Sequence, residues 1–201
     1  MGSIIKVEAE GKIRIFRGKD DVDAQCKLDA WVERKEFALR PEERCGEYLK
    51  IRRMYGEECA PLEVEFYQHL EGTGLTPKLL RYGDFFSFSV TYAETGLVLS
   101  NKFSYIAVER FGKSLEEIYG SSPECMNSSE TMRKNKLVFD RTFPSKKFPE
   151  NVRESVRKLI ERLSKACLDH QDFHAGNVLT NERGQLKCID FECAAITTTE
   201  F

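Results

Sequence analysis

The strongest constraint on this chain lies in residues 149–192, where three local patterns follow one another without a gap. Pro149 stands where a helix favours its first proline. Val152, Val156, Leu159, Ile160, Leu163 and Cys167 then recur at helical spacing, which predicts an amphipathic helix. His170-Gln171-Asp172-Phe173-His174-Ala175-Gly176-Asn177 breaks that period and reads as a loop dense in polar groups. Val178-Leu179 and Leu186–Ile189, separated by Asn181-Glu182-Arg183-Gly184, read as a hairpin that brings Asn177 beside Asp190.

The rest of the chain reads as strands with few helices. Ile4 to Arg17, around Gly11, suits one or two strands, whereas residues 18–46 are too dense in charge to assign. Glu47–Ile51 alternates like a strand. Pro61–Leu70 reads as a helix with Leu62, Phe66 and Leu70 on its buried face, ended by Gly72-Thr73-Gly74. Candidate strands lie near Leu79–Tyr82, Phe86–Thr91 and Phe103–Glu109, and Leu115–Tyr119 reads as a short helix. Residues 121–148 are rich in Ser, Lys and Asn, contain Pro144, and read as a mobile connection. No internal repeat is visible. The order of elements gives an α+β fold, β-rich first and mainly helical later.

The loop and hairpin carry a recognisable chemistry. Phosphoryl transfer needs a carboxylate to orient the attacking hydroxyl and accept its proton, and oxygen ligands to hold Mg²⁺ against nucleotide phosphates. Asp172 supplies the first carboxylate, and Asn177, five residues later, a neutral oxygen ligand from the same loop. Asp190 at the end of the hairpin supplies the anionic metal ligand.

At these residues the chain resembles a family. His170-x-Asp172-x-x-x-x-Asn177 followed by Ile189-Asp190-Phe191 resembles the catalytic and metal-binding loops of protein-kinase-like enzymes. With His174 and Glu192 included, the pattern is most similar to the aminoglycoside phosphotransferase and choline kinase branch. The resemblance implies a two-lobed fold: a β-rich lobe over residues 1–108, a hinge at 109–114 and a short, mainly helical lobe over 115–201. It implies an ATP- and Mg²⁺-dependent kinase that phosphorylates a hydroxyl of a protein or small molecule. Asp172 would be the catalytic base, with His170 and His174 orienting the loop by hydrogen bonds. Lys50 would contact the α- and β-phosphates, with Glu63 orienting it; Lys35 is a rival for that lysine, and an ordinary surface ion pair is the plainer reading of Lys50–Glu63. Ser104–Gly112, with Glu109 and Phe111, resembles the hinge that binds adenine, although a plain buried strand looks similar.

Two departures qualify the resemblance. No G-x-G-x-x-G occurs near the N-terminus, although Gly11 and Gly18 could flank a nucleotide-covering hairpin. Only eleven residues follow Asp190, so the acceptor half of the site is expected to be shortened. A catalytically weak or inactive nucleotide-binding pseudokinase is therefore the alternative to an active enzyme. A domain that keeps only the fold would have no physical need for Asp172, Asn177 and Asp190 around one cleft.

Composition excludes other classes. Thirty-one basic against 33 acidic residues give a net charge of −2 and no footprint for nucleic acid. Cysteines at 26, 45, 59, 125, 167, 188 and 193 include no C-x-x-C pair and follow no signal peptide. They read as reduced thiols of a cytoplasmic or nuclear protein that is not secreted, and no apolar run is long enough to cross a membrane. His170 and His174 are separated by loop rather than helix, which argues against zinc. Gly112-Lys113-Ser114 mimics the end of a Walker A loop, but Ala107 replaces its required glycine.

Overall fold

The computed structural model describes residues 2–55, 62–123 and 127–197, with backbone alone at Tyr55 and Leu62. The fold is mixed α+β, with a β-rich N-terminal sheet and several helices. The chain divides into two compact units. One comprises Met1–Pro61 with Leu80–Ala107, and the other Leu62–Leu79 with Val108–Phe201. Among the described residues no helix is long and apolar enough to cross a membrane.

The first unit opens with a hairpin of β1 (Ile4–Ala9) and β2 (Lys12–Arg17), joined by Glu10 and Gly11 at φ 51° and 69°. Two consecutive positive φ values match the twist of a two-residue hairpin turn, and glycine relieves the strain at the second position. Residues 18–46, unassignable from sequence, contain the 19-residue helix α1 (Asp21–Leu39), capped by the Asp20 carboxylate on the Asp23 N–H. Its charged sequence hides a narrow buried side of Ala24, Leu28, Trp31 and Val32. Such a stripe gives little contrast between faces, which is why periodicity missed it. Gly18 makes the entry possible: a Cβ there would stand 2.3 Å from the Ala24 nitrogen.

Three further strands complete the sheet: β3 (Glu47–Tyr55), β4 (Leu79–Tyr92) and β5 (Val98–Glu109). The segments Leu79–Tyr82 and Phe86–Thr91 are one continuous strand. The sheet order is β2-β1-β4-β5-β3. Ile5, Val7, Phe86, Phe88, Val90 and Phe103 form a core with Trp31, whose ring lies edge-on to Phe86 and Phe88 at 5.8 and 5.9 Å. The order has a consequence for function. The β1–β2 hairpin pairs with β4 at one end of the sheet, so β4 and β5 separate it from β3 and Lys50. Gly11 and Gly18 therefore do not flank a hairpin beside β3.

The second unit contains α2 (Leu62–His69), the short β6 (Lys113–Ser114) and α3 (Leu115–Tyr119). Residues 121–148 are not one open connection. They contain α4 (Ser129–Lys134) and α5 (Lys136–Thr142), capped by Ser128 and Asn135. The segment's few aromatics, Phe139, Phe143 and Phe148, are all buried, and Arg153 donates to the Phe143 carbonyl at 2.9 Å. Polar residues that read as linker act instead as caps and surface, while three rings anchor the segment. The helix α6 (Glu150–Lys165) follows with Pro149 at its N-cap and Val156, Leu159, Ile160 and Leu163 buried. The C-terminal part adds β7 (Leu168–Asp169), β8 (Val178–Thr180), β9 (Leu186–Cys188) and β10 (Ala195–Ile196). The hairpin of β8 and β9 pairs Val178 with Cys188 and joins β6, and β10 pairs with β7.

Candidate active site

The site is built within the second unit, from the segment that follows α6, from α2 and from the start of α4. His170 is completely buried, and its backbone N–H donates to the Ser129 hydroxyl at 2.9 Å. Burial pushes its pKa below the ordinary 6.5, so the ring is neutral at pH 7 and Nε2–H donates to the Ile189 carbonyl at 2.9 Å. Its ring packs against Phe173 and Phe191 at 5.7 and 5.2 Å. A residue so enclosed cannot touch a substrate. It ties the loop of Asp172 to the strand end that carries Asp190.

Asp172 is half-buried at the loop's apex. Asn177 donates through Nδ2 to the Asp172 carbonyl at 2.9 Å and lies 3.4 Å from its Oδ2. His174 accepts from the Gly176 N–H through Nδ1 at 3.1 Å, which leaves the proton on Nε2, 3.6 Å from the Asp172 carboxylate. Gly176 packs closely here: a Cβ would lie 2.6 Å from the Glu116 carboxylate and 2.7 Å from the His174 ring, so those side chains would have to shift. Asn177 also reaches the segment that carries Asp190: its carbonyl accepts from the Ile189 N–H at 3.1 Å.

Asp190, next in the chain, has φ 65°, a left-handed conformation that aspartate tolerates better than most residues. Its carboxylate lies within 4.8 Å of those of Glu63 and Glu192. Glu63 comes from α2 and is only 1% exposed. Three carboxylates this close repel one another unless protons or a cation intervene, and an all-oxygen set suits a hard divalent ion. Tyr67, on the same face of α2, packs edge-on to Phe191 at 5.2 Å. Its hydroxyl faces the Asp190 N–H and Thr76, and burial followed by the charge of Glu63 holds its pKa well above 10. Phe191 thus anchors the Asp190 segment to α2 on one side and to His170 on the other.

A second set of contacts pins the loop from behind. The Asp169 carboxylate accepts from the Ser128 hydroxyl at 2.8 Å, the Ser129 hydroxyl at 3.0 Å and the Glu130 N–H at 3.0 Å. The Ser129 N–H donates to the His170 carbonyl, the Phe173 N–H to the Asn127 carbonyl, and the Ala175 N–H to the Ser122 hydroxyl. Sequence reasoning missed Asp169, Ser128 and Ser129. The only signal was the Ser-Ser-Glu run, a cap pattern inside a segment read as linker. It also gave Glu192 no ligand role, although its spacing from Asp190 places both carboxylates on one side of the turn.

The remaining sequence candidates are carried by other elements. Lys50 sits half-buried on β3 in the first unit. Lys35 lies on α1 and pairs with Glu10 at 3.0 Å. In the hinge segment, the Glu109 N–H donates to the Lys78 carbonyl at 2.9 Å, and its carboxylate accepts from Lys187 at 3.2 Å. Burial works to raise the Glu109 pKa, but the Lys187 ammonium and the Lys78 N–H together hold it below the ordinary value. The same ammonium stands 4.3 Å from the Phe111 ring centre. Gly112 has a structural reason unrelated to phosphate, since a Cβ would lie 2.0 Å from the Thr180 carbonyl where β6 meets β8.

No protein-family model matches this sequence, and no curated protein matches it.

Proposed function

We propose that this chain is a two-lobed, protein-kinase-like phosphotransferase, using ATP and Mg²⁺ to phosphorylate a hydroxyl of a protein or small-molecule acceptor. One observation carries the reading: Asn177 bonds the Asp172 carbonyl through its side chain and the Ile189 N–H through its backbone, holding two acidic segments together. In this scheme Asp172 orients the acceptor hydroxyl and takes its proton as the oxygen bonds to the γ-phosphorus and the bond to the ADP oxygen breaks. His174 steers the Asp172 carboxylate. Asn177 and Asp190 would hold Mg²⁺, which when bound neutralises phosphate charge. Lys50 would contact the phosphates, and the Glu109–Phe111 segment would bind adenine.

The test is the melting temperature with ATP alone, Mg²⁺ alone and both, in the natural protein and in Asp190→Ala. A ligand at a hundred times its dissociation constant adds about 2.7 kcal/mol. A shift that needs both and vanishes in the variant supports the nucleotide site; no shift in a folded sample refutes it. Asp172→Asn should keep the shift and slow transfer by about a hundred- to ten-thousand-fold.

A second reading has its own support. The β1–β2 hairpin lies across the sheet from β3, which favours a nucleotide-binding pseudokinase with a poorly covered phosphate site. The two readings separate on turnover. If the natural protein binds Mg²⁺·ATP yet releases no more ADP than Asp172→Asn, the pseudokinase reading holds.

A further inference from the structure

The first unit carries a groove that takes no part in the chemistry above. Helix α1 covers the β1 and β4 side of the sheet through Trp31, and beside it a cavity of about 560 Å³ lies against β3 and β5. Asp29, Glu33 and Glu36 on α1 form one wall of this cavity, with Arg53 and Asn101 opposite. Past Gln25, Tyr92 and Leu99, which line both spaces, the groove continues into a second cavity of about 570 Å³ at the start of α1. That end is apolar. Ile4, Val22, Leu97 and Leu99 line it, and Val22 is 72% exposed. Asp21 and Glu94 also line it, both accepting from the Ser3 hydroxyl.

The charge along the groove is one-sided. Five carboxylates line it against one guanidinium, and Arg53 is already held to the Asn101 side-chain oxygen at 3.2 Å and over the Phe88 ring. The Glu33 and Glu36 carboxylates have no hydrogen-bond or ion-pair partner among the described residues. From Val22 to Glu36 the helix rises about 21 Å at 1.5 Å per residue. An extended peptide covers that length with about six residues at 3.3 Å each, whereas a small molecule would fill only one end.

We propose that this groove docks an extended segment of a partner protein, with one or two aliphatic side chains in the apolar end and Lys or Arg side chains along the carboxylates of α1. The apolar end supplies area, and the carboxylates supply orientation and rate of encounter. This reading does not depend on the kinase assignment.

The test is fluorescence polarisation with a labelled peptide, Leu-Leu-Gly-Lys-Arg-Lys-Arg, at low and high salt. The expected result is saturable binding that weakens at least tenfold in 0.5 M salt, in the double variant Glu33→Lys/Glu36→Lys, and in Val22→Asp. Asp172→Asn should bind as the natural protein does. A peptide with Glu in place of Lys and Arg should not bind. Trp31 fluorescence reports whether each variant's first unit is folded, and should the double variant fail, Glu33→Gln with the salt series replaces it. The proposal is overturned if the peptide does not bind below 1 mM, if the charge variants bind equally well, or if a peptide without its leucines binds as tightly.

Discussion

Replacing Asp169 tests whether the loop from His170 to Asn177 is held from behind. Its carboxylate accepts from two hydroxyls and one backbone N–H, at 2.8–3.0 Å, and is itself buried. Hydrogen bonds to a charged acceptor contribute about 1.5–3 kcal/mol each, but these three share one acceptor and cannot simply be added. In Asp169→Ala the Ser128 oxygen still accepts from the Thr131 N–H, as it does at 3.1 Å, and its O–H, on a half-buried residue, can turn to water, while the Glu130 N–H and the Ser129 hydroxyl lose their acceptor. Two uncompensated groups put the cost at about 3 kcal/mol. Asp169→Asn keeps an oxygen for those donors and loses only charge, so about 1 kcal/mol is expected. Hydrogen exchange read by mass spectrometry over residues 127–135 and 168–177 converts these into rates. Protection should fall about a hundredfold in the alanine variant and about fivefold in the asparagine variant, at 1.4 kcal/mol per tenfold. Unchanged exchange over both segments in a folded Asp169→Ala protein would refute the strap. The loop would then be held by the His170 ring, the β8–β9 hairpin and the backbone contacts of Phe173 and Ala175.

Other outcomes follow from the same geometry. His170 has a depressed folded pKa, so the unfolded chain binds its proton first on acidification. Stability from this group is full above pH 6.5 and falls as the pH drops below it; urea midpoints at pH 7.5 and 5.5 should show this, and His170→Gln should flatten the fall. Glu109 also has a lowered pKa, so its stabilisation is present above the ordinary carboxylate value and is lost as the pH falls through the lowered one. Its side chain is 48% exposed, so Lys187→Met should cost under about 1 kcal/mol from the ion pair at pH 7 and less in strong acid, where only the contact with Phe111 is lost. Gly112→Ala drives a methyl into the Thr180 carbonyl and should destabilise by about 2 kcal/mol or more, read from the thermal midpoint by circular dichroism. Phe191→Ala removes a completely buried ring touching α2 and His170, and should cost about 3–5 kcal/mol in the same assay.

The sequence was most legible where local pattern and tertiary role coincide. The α6 stripe, the β8–β9 hairpin and the short α2 were all readable, because each buries a face that its period marks. Helix α1 was not, because its buried side is four residues wide and its exposed side is charged in both senses. The segment 121–148 failed for a related reason. Its order rests on Phe143 meeting Phe173, on Phe148 meeting Tyr119, and on the α6 arginine Arg153, which lies over Phe139 and donates to the Phe143 carbonyl, contacts that reach beyond the segment itself. The sheet order was equally out of reach. Nothing local tells whether a hairpin will pair with the strand that follows it or with one more than sixty residues further on, and here β1 pairs with β4.

The same distinction explains which candidate residues could be picked out from local spacing. Asp172, Asn177 and Asp190 announce themselves by spacing because one loop and one hairpin deliver them, and a hairpin fixes register over a few residues. Glu63 reaches Asp190 from more than a hundred residues away, through α2, and what brings it there is the packing of Phe66 and Tyr67 against Phe191. Aromatic packing and carboxylate chemistry are therefore coupled in one helix: any change that moves Phe191 moves Glu63 relative to Asp190. Conservative substitutions at Phe66 or Tyr67 should accordingly alter divalent-cation dependence before they alter the fold, whereas substitutions at Glu192 should alter it without any loss of packing. That difference separates a cluster held by its aromatic frame from three acids that merely share a surface.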